Sequence, residues 1–155
     1  MGMPVDLRVA LPLLLPRAIE WAVARSQEAA ACGRSLSERE IAIARAVGVR
    51  QPELIRVYVV DSLPLPEDSA LRAAALQTGL LGPHMAGLTI GYSVLVCRGN
   101  ETVHLLSHEF RHVHQYECFG SIGAYLPVYL KQIVDFEYEN APFEIDARAH
   151  ERDAF

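Results

Sequence analysis

Residues 101–119 read ETVHLLSHEFRHVHQYECF, and within them His108, Glu109, Phe110, Arg111 and His112 form an HExxH sequence. Given the chain's own histidine and glutamate frequencies, about 0.02 such matches are expected by chance. A helix turns about 100° per residue, so His108 and His112 fall about 40° apart on one face, where two imidazoles reach one tetrahedral metal ion. Glu109 lies about 60° further round, aside from the metal axis but able to touch a water in the metal's open position. Val103, Leu106, Phe110 and Val113 form an apolar stripe on roughly the opposite side. That stripe takes the core. The face of His108, His112 and Gln115, flanked by Leu105, Glu109 and Tyr116, is costly to bury unless a metal or hydrogen bonds satisfy it.

His104 continues the i, i+4 series but lies about 12 Å along the axis from His112, too far for both to come within about 2.1 Å of one ion, so it reads as a rim residue. His114 points with Ser107 and Arg111 and reads as a surface histidine. A catalytic zinc site uses three protein ligands and one open position. The third ligand must come from downstream, where Asp135, Glu137, Glu139, Glu144, Asp146 and His150 are available. Glu144 is favoured because Asn140 and Pro142 announce a helix that carries it in its first turns, with small Ala147 on the same face. Asp146 and His150 compete, since helical direction alone does not fix which residue meets the metal. The plainer alternative is an acidic first turn that complements its own helix dipole.

Upstream, Pro16 to about Cys32 reads as a helix opened by a proline and closed by Gly33. Ser35 and Ser37 each stand three residues before a glutamate, Glu38 and Glu40, the capping-box spacing for a second helix ending at Gly48. Leu54 to Val60 is β-branched and aromatic and predicts a strand. Ser69 to Gln77 predicts a short helix ending near Gly79. Gly87 to Val96 forms two apolar runs around Gly91, Tyr92 and Ser93, the pattern of a ribbon or hairpin. Helices follow at about 101–117, 121–136 and 141–152, without internal repeats. The expected class is α+β: one compact domain over residues 1–155, mostly helical with a small sheet or ribbon, and the HExxH helix central.

At 155 residues, 51% apolar and 21% charged, the chain has the size and composition of a single core. A net charge of −5, with no run of like charges, argues against nucleic acid as a partner. Cys32, Cys97 and Cys118 form no CxxC pair, so neither a disulfide framework nor a cysteine zinc site is indicated. The apolar run Val9 to Leu15 after Arg8 is a poor export signal, because Pro12 and Pro16 interrupt it and Ala18, Ile19, Ala22 and Val23 have helical spacing. A retained N-terminus in a reducing, cytoplasmic compartment is therefore expected. No run reaches the length of a membrane span. Gly2 is followed by Asp6 where a myristoylation signal requires Ser or Thr, so no membrane partner is expected, and a monomer is the default.

HExxH on one helix, an intervening helix and a glutamate on another together resemble the gluzincin branch of the zincin metallopeptidases. The run Leu105, Leu106, Ser107, His108, Glu109, with His112 to Gln115 after it and Gly87 to Gly91 before it, is similar to the small bacterial gluzincin-like domain of extracellular contractile injection system proteins. The similarity covers about Ala86 to Glu151. It implies a minimal gluzincin domain with one zinc ion per chain on His108, His112 and Glu144, and Glu109 as general base and acid. It also implies a peptide or protein substrate aligned by β-addition on the strand near Val94 to Cys97. His150, Tyr138, Tyr116 and Arg148 are eligible to stabilise the oxyanion; His150 leads, because its i, i+4 spacing from Asp146 could orient the imidazole. The chain departs from the thermolysin-like pattern, which has Asn immediately before the glutamate and Asp four residues after it; Phe143 and Arg148 stand there. No HxxGxxH extension follows His112, which sets the metzincins aside. Peptide hydrolysis competes with an inactive zinc-binding scaffold, with a latent or single-partner peptidase, and with hydrolysis of a non-peptide amide.

Overall fold

The computed structural model describes residues 6–154, so the reading of Gly2 lies outside the described residues. Helix α1 spans Leu7–Cys32 and starts at Asp6, whose side chain accepts from Arg8 N. It begins well before Pro16, and both Pro12 and Pro16 lie inside it. Each proline removes a helical hydrogen bond, but Leu14, Ala18, Ala22 and Ala29 are buried along the helix. Packing carries the helix through positions that sequence rules treat as breaks.

Helix α2, Glu38–Ala46, takes the second of the two expected capping boxes: Ser37 Oγ accepts from Glu40 N while Glu40 accepts from Ser37 N. A 3-10 turn at Pro52–Leu54 leads into strand β1, Arg56–Val60, which therefore starts later than expected. Helix α3, Ser69–Thr78, closes on Gly79 at φ +74°. Strands β2, Gly87–Ile90, and β3, Ser93–Cys97, form the expected hairpin around Gly91 and Tyr92. The sheet order is β1-β3-β2, with β1 parallel and β2 antiparallel to β3. β3 is thus central. It reads Ser-Val-Leu-Val-Cys without polar alternation because helices cover both faces of the sheet.

On one face Val57, Val94 and Val96 pack with Ile43 of α2, with Val47 just beyond its end, and with Leu106, Phe110 and Val113 of helix α4. On the other, Leu95 packs with Ala29 of α1 and with Leu63 and Leu81. Helix α4, Val103–Phe119, is capped by Thr102, whose hydroxyl accepts from Leu105 N, and ends at Gly120 with φ +86°. Helix α5, Ile122–Asn140, is regular up to the expected end at residue 136, is broken at Glu137, where φ is +67° and ψ is 164°, and resumes for a short stretch beyond it. Helix α6, Pro142–Ala149, is shorter than expected, so His150 and Glu151 lie beyond its end. Tyr125, Tyr129 and Ile133 of α5 pack with Ala18 and Ala22 of α1 and with Tyr116 of α4. Among the described residues the architecture is six α-helices on a three-stranded sheet, an α+β arrangement. No helix among them is long and apolar enough to cross a membrane.

Candidate metal centre

The apolar stripe of α4 enters the core as its periodicity requires, and the opposite face is buried as well. His108, Glu109, His112, Gln115 and Tyr116 are all buried, against α5 and α6. His108 Nε2 lies 3.1 Å from Glu144 Oε1, and His112 Nε2 lies 3.0 Å from Glu144 Oε2. These three residues form a buried group whose ligating atoms all lie within 4.8 Å of one another, and it could hold a metal ion. Glu144 sits in the first turn of α6 and is 1% exposed. Ala147, on the same face, is fully buried and lets the two helices approach closely.

The hydrogen bonds behind the histidines settle which ring nitrogen faces the carboxylate as an acceptor. Gln115 Nε2 donates to Phe143 O and to Asp146 Oδ2, so Gln115 Oε1 is an acceptor, and His112 Nδ1 donates to it over 2.8 Å. His108 Nδ1 donates to Glu151 Oε2 over 2.7 Å. With both protons on Nδ1, both Nε2 lone pairs point at carboxylate oxygens. Acceptor against acceptor is repulsive, and either protons or a cation must lie between them. Without a cation, protons do. Burial opposes the charged form of His108, but the hydrogen bond to Glu144 and the charges of Glu109 and Glu144 raise its pKa to about 9. His112 is raised by the same carboxylates against its burial. Glu144 is held well below the ordinary carboxylate range, because bonds from His108 and His112 outweigh its desolvation. Two imidazoles and one carboxylate suit zinc as a donor set.

Glu109 is not among the three grouped residues. Its carboxylate rests against β2, where Thr89 Oγ1 donates to Oε1 over 2.8 Å. Gly87 makes the room: a Cβ there would lie 3.0 Å from Glu109 Oε2. Because β3 is paired on both sides, it cannot accept a peptide strand, which corrects the expectation for Val94 to Cys97. The edge strand beside Glu109 is β2.

No family model, curated protein or solved structure matches the chain.

The other candidates separate by position. Asp146, the chief rival as a ligand, is taken by Arg111, whose Nε donates to Oδ2 over 2.8 Å while Nη1 holds Val47 O. His150 pairs with Asp146 as its spacing suggested, at 2.7 Å to the backbone oxygen and 3.5 Å to Oδ1. It does not line the cavity that Glu109 and His112 face. α6 ends one residue before His150, whose Nδ1 is engaged by Asp146 O at the helix terminus. Arg148 donates to Glu139 O, and Tyr116 lies against Tyr125 at 3.9 Å between ring centroids. Of the four oxyanion candidates, Tyr138 and Tyr116 line the cavity that Glu109, His112 and Glu144 also line, and burial with the nearby charge of Glu144 raises the pKa of the Tyr138 hydroxyl. His104 is exposed at the rim, bonded to Glu151 and Asp153. His114 is half-buried, with Nδ1 on Gly48 O at 2.9 Å; the expected surface position is wrong because the turn after α2 packs over it.

Three contributors escaped the sequence reading. Tyr129 donates to Glu144 Oε2 over 2.6 Å, Thr89 anchors Glu109, and Glu151 orients His108. Tyr125 and Tyr129 stand one helical turn apart, a signal for a polar-tipped face that could have been read. Glu151, beyond the helix end, follows no period.

Proposed function

We propose that the chain is a zinc-dependent hydrolase of zincin type, a minimal gluzincin that cleaves peptide bonds. One observation carries this reading: the buried group supplies three ligands rather than four, and the next acidic side chain, Glu109, is held beside them by Thr89 instead of joining them. Structural zinc sites are closed by four protein ligands, whereas catalytic sites keep a position open. When bound there, zinc supplies a Lewis acid for the carbonyl and lowers the pKa of water toward neutrality. With Oε1 of Glu109 engaged by Thr89, Oε2 is the oxygen that takes the proton from the attacking water and returns it to the leaving amine. The Tyr138 hydroxyl, beside Glu144, is the donor placed to meet the developing oxyanion. Strand β2, paired only with β3, is the edge on which an extended substrate would align beside Glu109.

The test is metal content by elemental mass spectrometry on protein purified without added metal, beside His112→Ala. One zinc per chain, lost in the variant, supports the reading, and no metal after zinc is offered ends it. With the site established, Glu109→Gln separates enzyme from scaffold: it is expected to keep zinc and lose turnover on a peptide library.

A further inference from the structure

The metal centre opens into a cavity of about 140 Å³ whose walls are mostly apolar away from the grouped residues. Glu109, His112, Glu144 and Tyr138 stand at one end. Leu11, Leu14 and Ala18 of α1 and Leu71, Ala74 and Ala75 of α3 form the far walls. Leu71, Ala74, Ala75 and Thr78 have the i, i+3, i+4, i+7 spacing of a packed helical face, yet none of the residues of α3 is fully buried. An apolar face of this kind, set over space that no side chain fills, departs from the close packing of protein interiors. Apolar cavities of about 150 Å³ stay free of water and take up apolar molecules. The resemblance to gluzincins covers only residues from about Ala86 onward, so helices α1 and α3, which build these walls, lie outside it.

We infer that this cavity binds an apolar group of about six carbons, attached beside the carbonyl presented to the metal, and so selects amide substrates carrying such a group. The inference rests on the zinc reading for the carbonyl, but the apolar walls stand without it. One chemistry covers two sources, a short fatty acyl chain and a large apolar amino-acid side chain. The polar end fixes the reacting group, and burial of the apolar part supplies the discrimination.

Alkyl hydroxamates from two to ten carbons, titrated into zinc-loaded protein by calorimetry, test this. Affinity is expected to rise about fourfold per methylene until the cavity is full near six carbons, and then level off. In Ala74→Phe the added ring occupies the cavity, and the rise is expected to disappear. Equal affinity at all lengths in the wild-type protein overturns the inference, whatever the variant does. Tighter binding of N-acetyl-leucine hydroxamate than of the six-carbon alkyl probe marks a peptide source; the reverse order marks a fatty acyl source. If no hydroxamate binds at any length, the zinc reading fails by itself. Metal-free protein titrated with 1-hexanol and benzene by NMR then decides the pocket: shifts of the Ala74 and Ala75 methyl groups support it, and their absence overturns it.

Discussion

Glu144 is an ionised carboxylate with almost no access to water, satisfied by His108, His112 and Tyr129. Removing one partner of such a group leaves the others uncompensated. Glu144→Ala is therefore expected to lower zinc affinity by about a hundredfold or more, whereas His114→Ala, whose bond is to Gly48, should leave it nearly unchanged. Glu151→Ala and Gln115→Ala remove the acceptors behind the two histidines, and each should weaken zinc binding by about 10- to 100-fold. Competition with a chromophoric chelator reads all four, and equal losses at His114 and Glu144 would mean the metal lies elsewhere. Tyr138→Phe should lower kcat by about a hundredfold with zinc content intact; an unchanged kcat removes it as the oxyanion donor. At this scale the histidines, Glu109 and Glu144 were legible, because one helical period fixes the first three and a proline-started helix presents the fourth. Glu151 was not, since it reaches the site from beyond the end of α6 by a path that no spacing encodes, and Tyr129 was visible only as one tip of the Tyr125–Tyr129 face.

Among the elements, α5 carries the clearest cost. Glu137 holds φ +67° with ψ 164°, a region occupied essentially by glycine, at about 1–3 kcal/mol for other residues. The break lies one residue before Tyr138, and it re-aims that ring after a regular helix that carries Tyr125, Tyr129 and Ile133 into the core. Glu137→Gly should relieve the strain and raise stability by about 1 kcal/mol, less the entropy glycine adds to the unfolded chain. Chemical denaturation reads the gain, and a loss would show that the glutamate side chain matters more than its backbone. The sequence placed the helix end at residue 136, immediately before this break, but neither glycine nor asparagine stands at 137 to announce its backbone conformation. At α1, Pro16 was read as the opening of the helix, yet the helix begins at Leu7 and runs through both Pro12 and Pro16. In both places tertiary packing outweighed local preference. Where local rules and packing agree, as at the Ser37–Glu40 box and Gly79, the boundaries were readable.

For the molecule as a whole, acidity and metal compete for the same atoms. In metal-free protein His108, raised from 6.5 to about 9, contributes stability that is full below about pH 6.5 and lost as pH rises through 9. Glu144, lowered from 4.5, contributes above 4.5 and loses that contribution as pH falls through its depressed value. The metal-free protein should therefore be favoured between these limits and weaken toward alkaline pH. Zinc bound by the proposed ligands would take the places of the Nε2 protons, so its affinity should climb about tenfold per pH unit for each displaced proton, up to about pH 9. Titrations at several pH values, in buffers of different ionisation enthalpy, check both slope and proton count; a flat profile would exclude displacement of these protons. The strand order β1-β3-β2 was the part of the global arrangement least open to prediction. The hairpin follows from local sequence, but the parallel pairing of β1 with β3 depends on α3 crossing over, and no local pattern specifies that.

His108 and Glu144 are 36 residues apart, with all of α5 between them. An ion shared by α4 and α6 consequently ties a ring in the chain, and such a ring restricts the denatured ensemble as a covalent cross-link of similar span does. Fastened, the α5–α6 arm should exchange its amide hydrogens slowly; unfastened, it becomes the first segment open to proteases. The lifetime of the protein, as well as its chemistry, would then track the zinc supply around it.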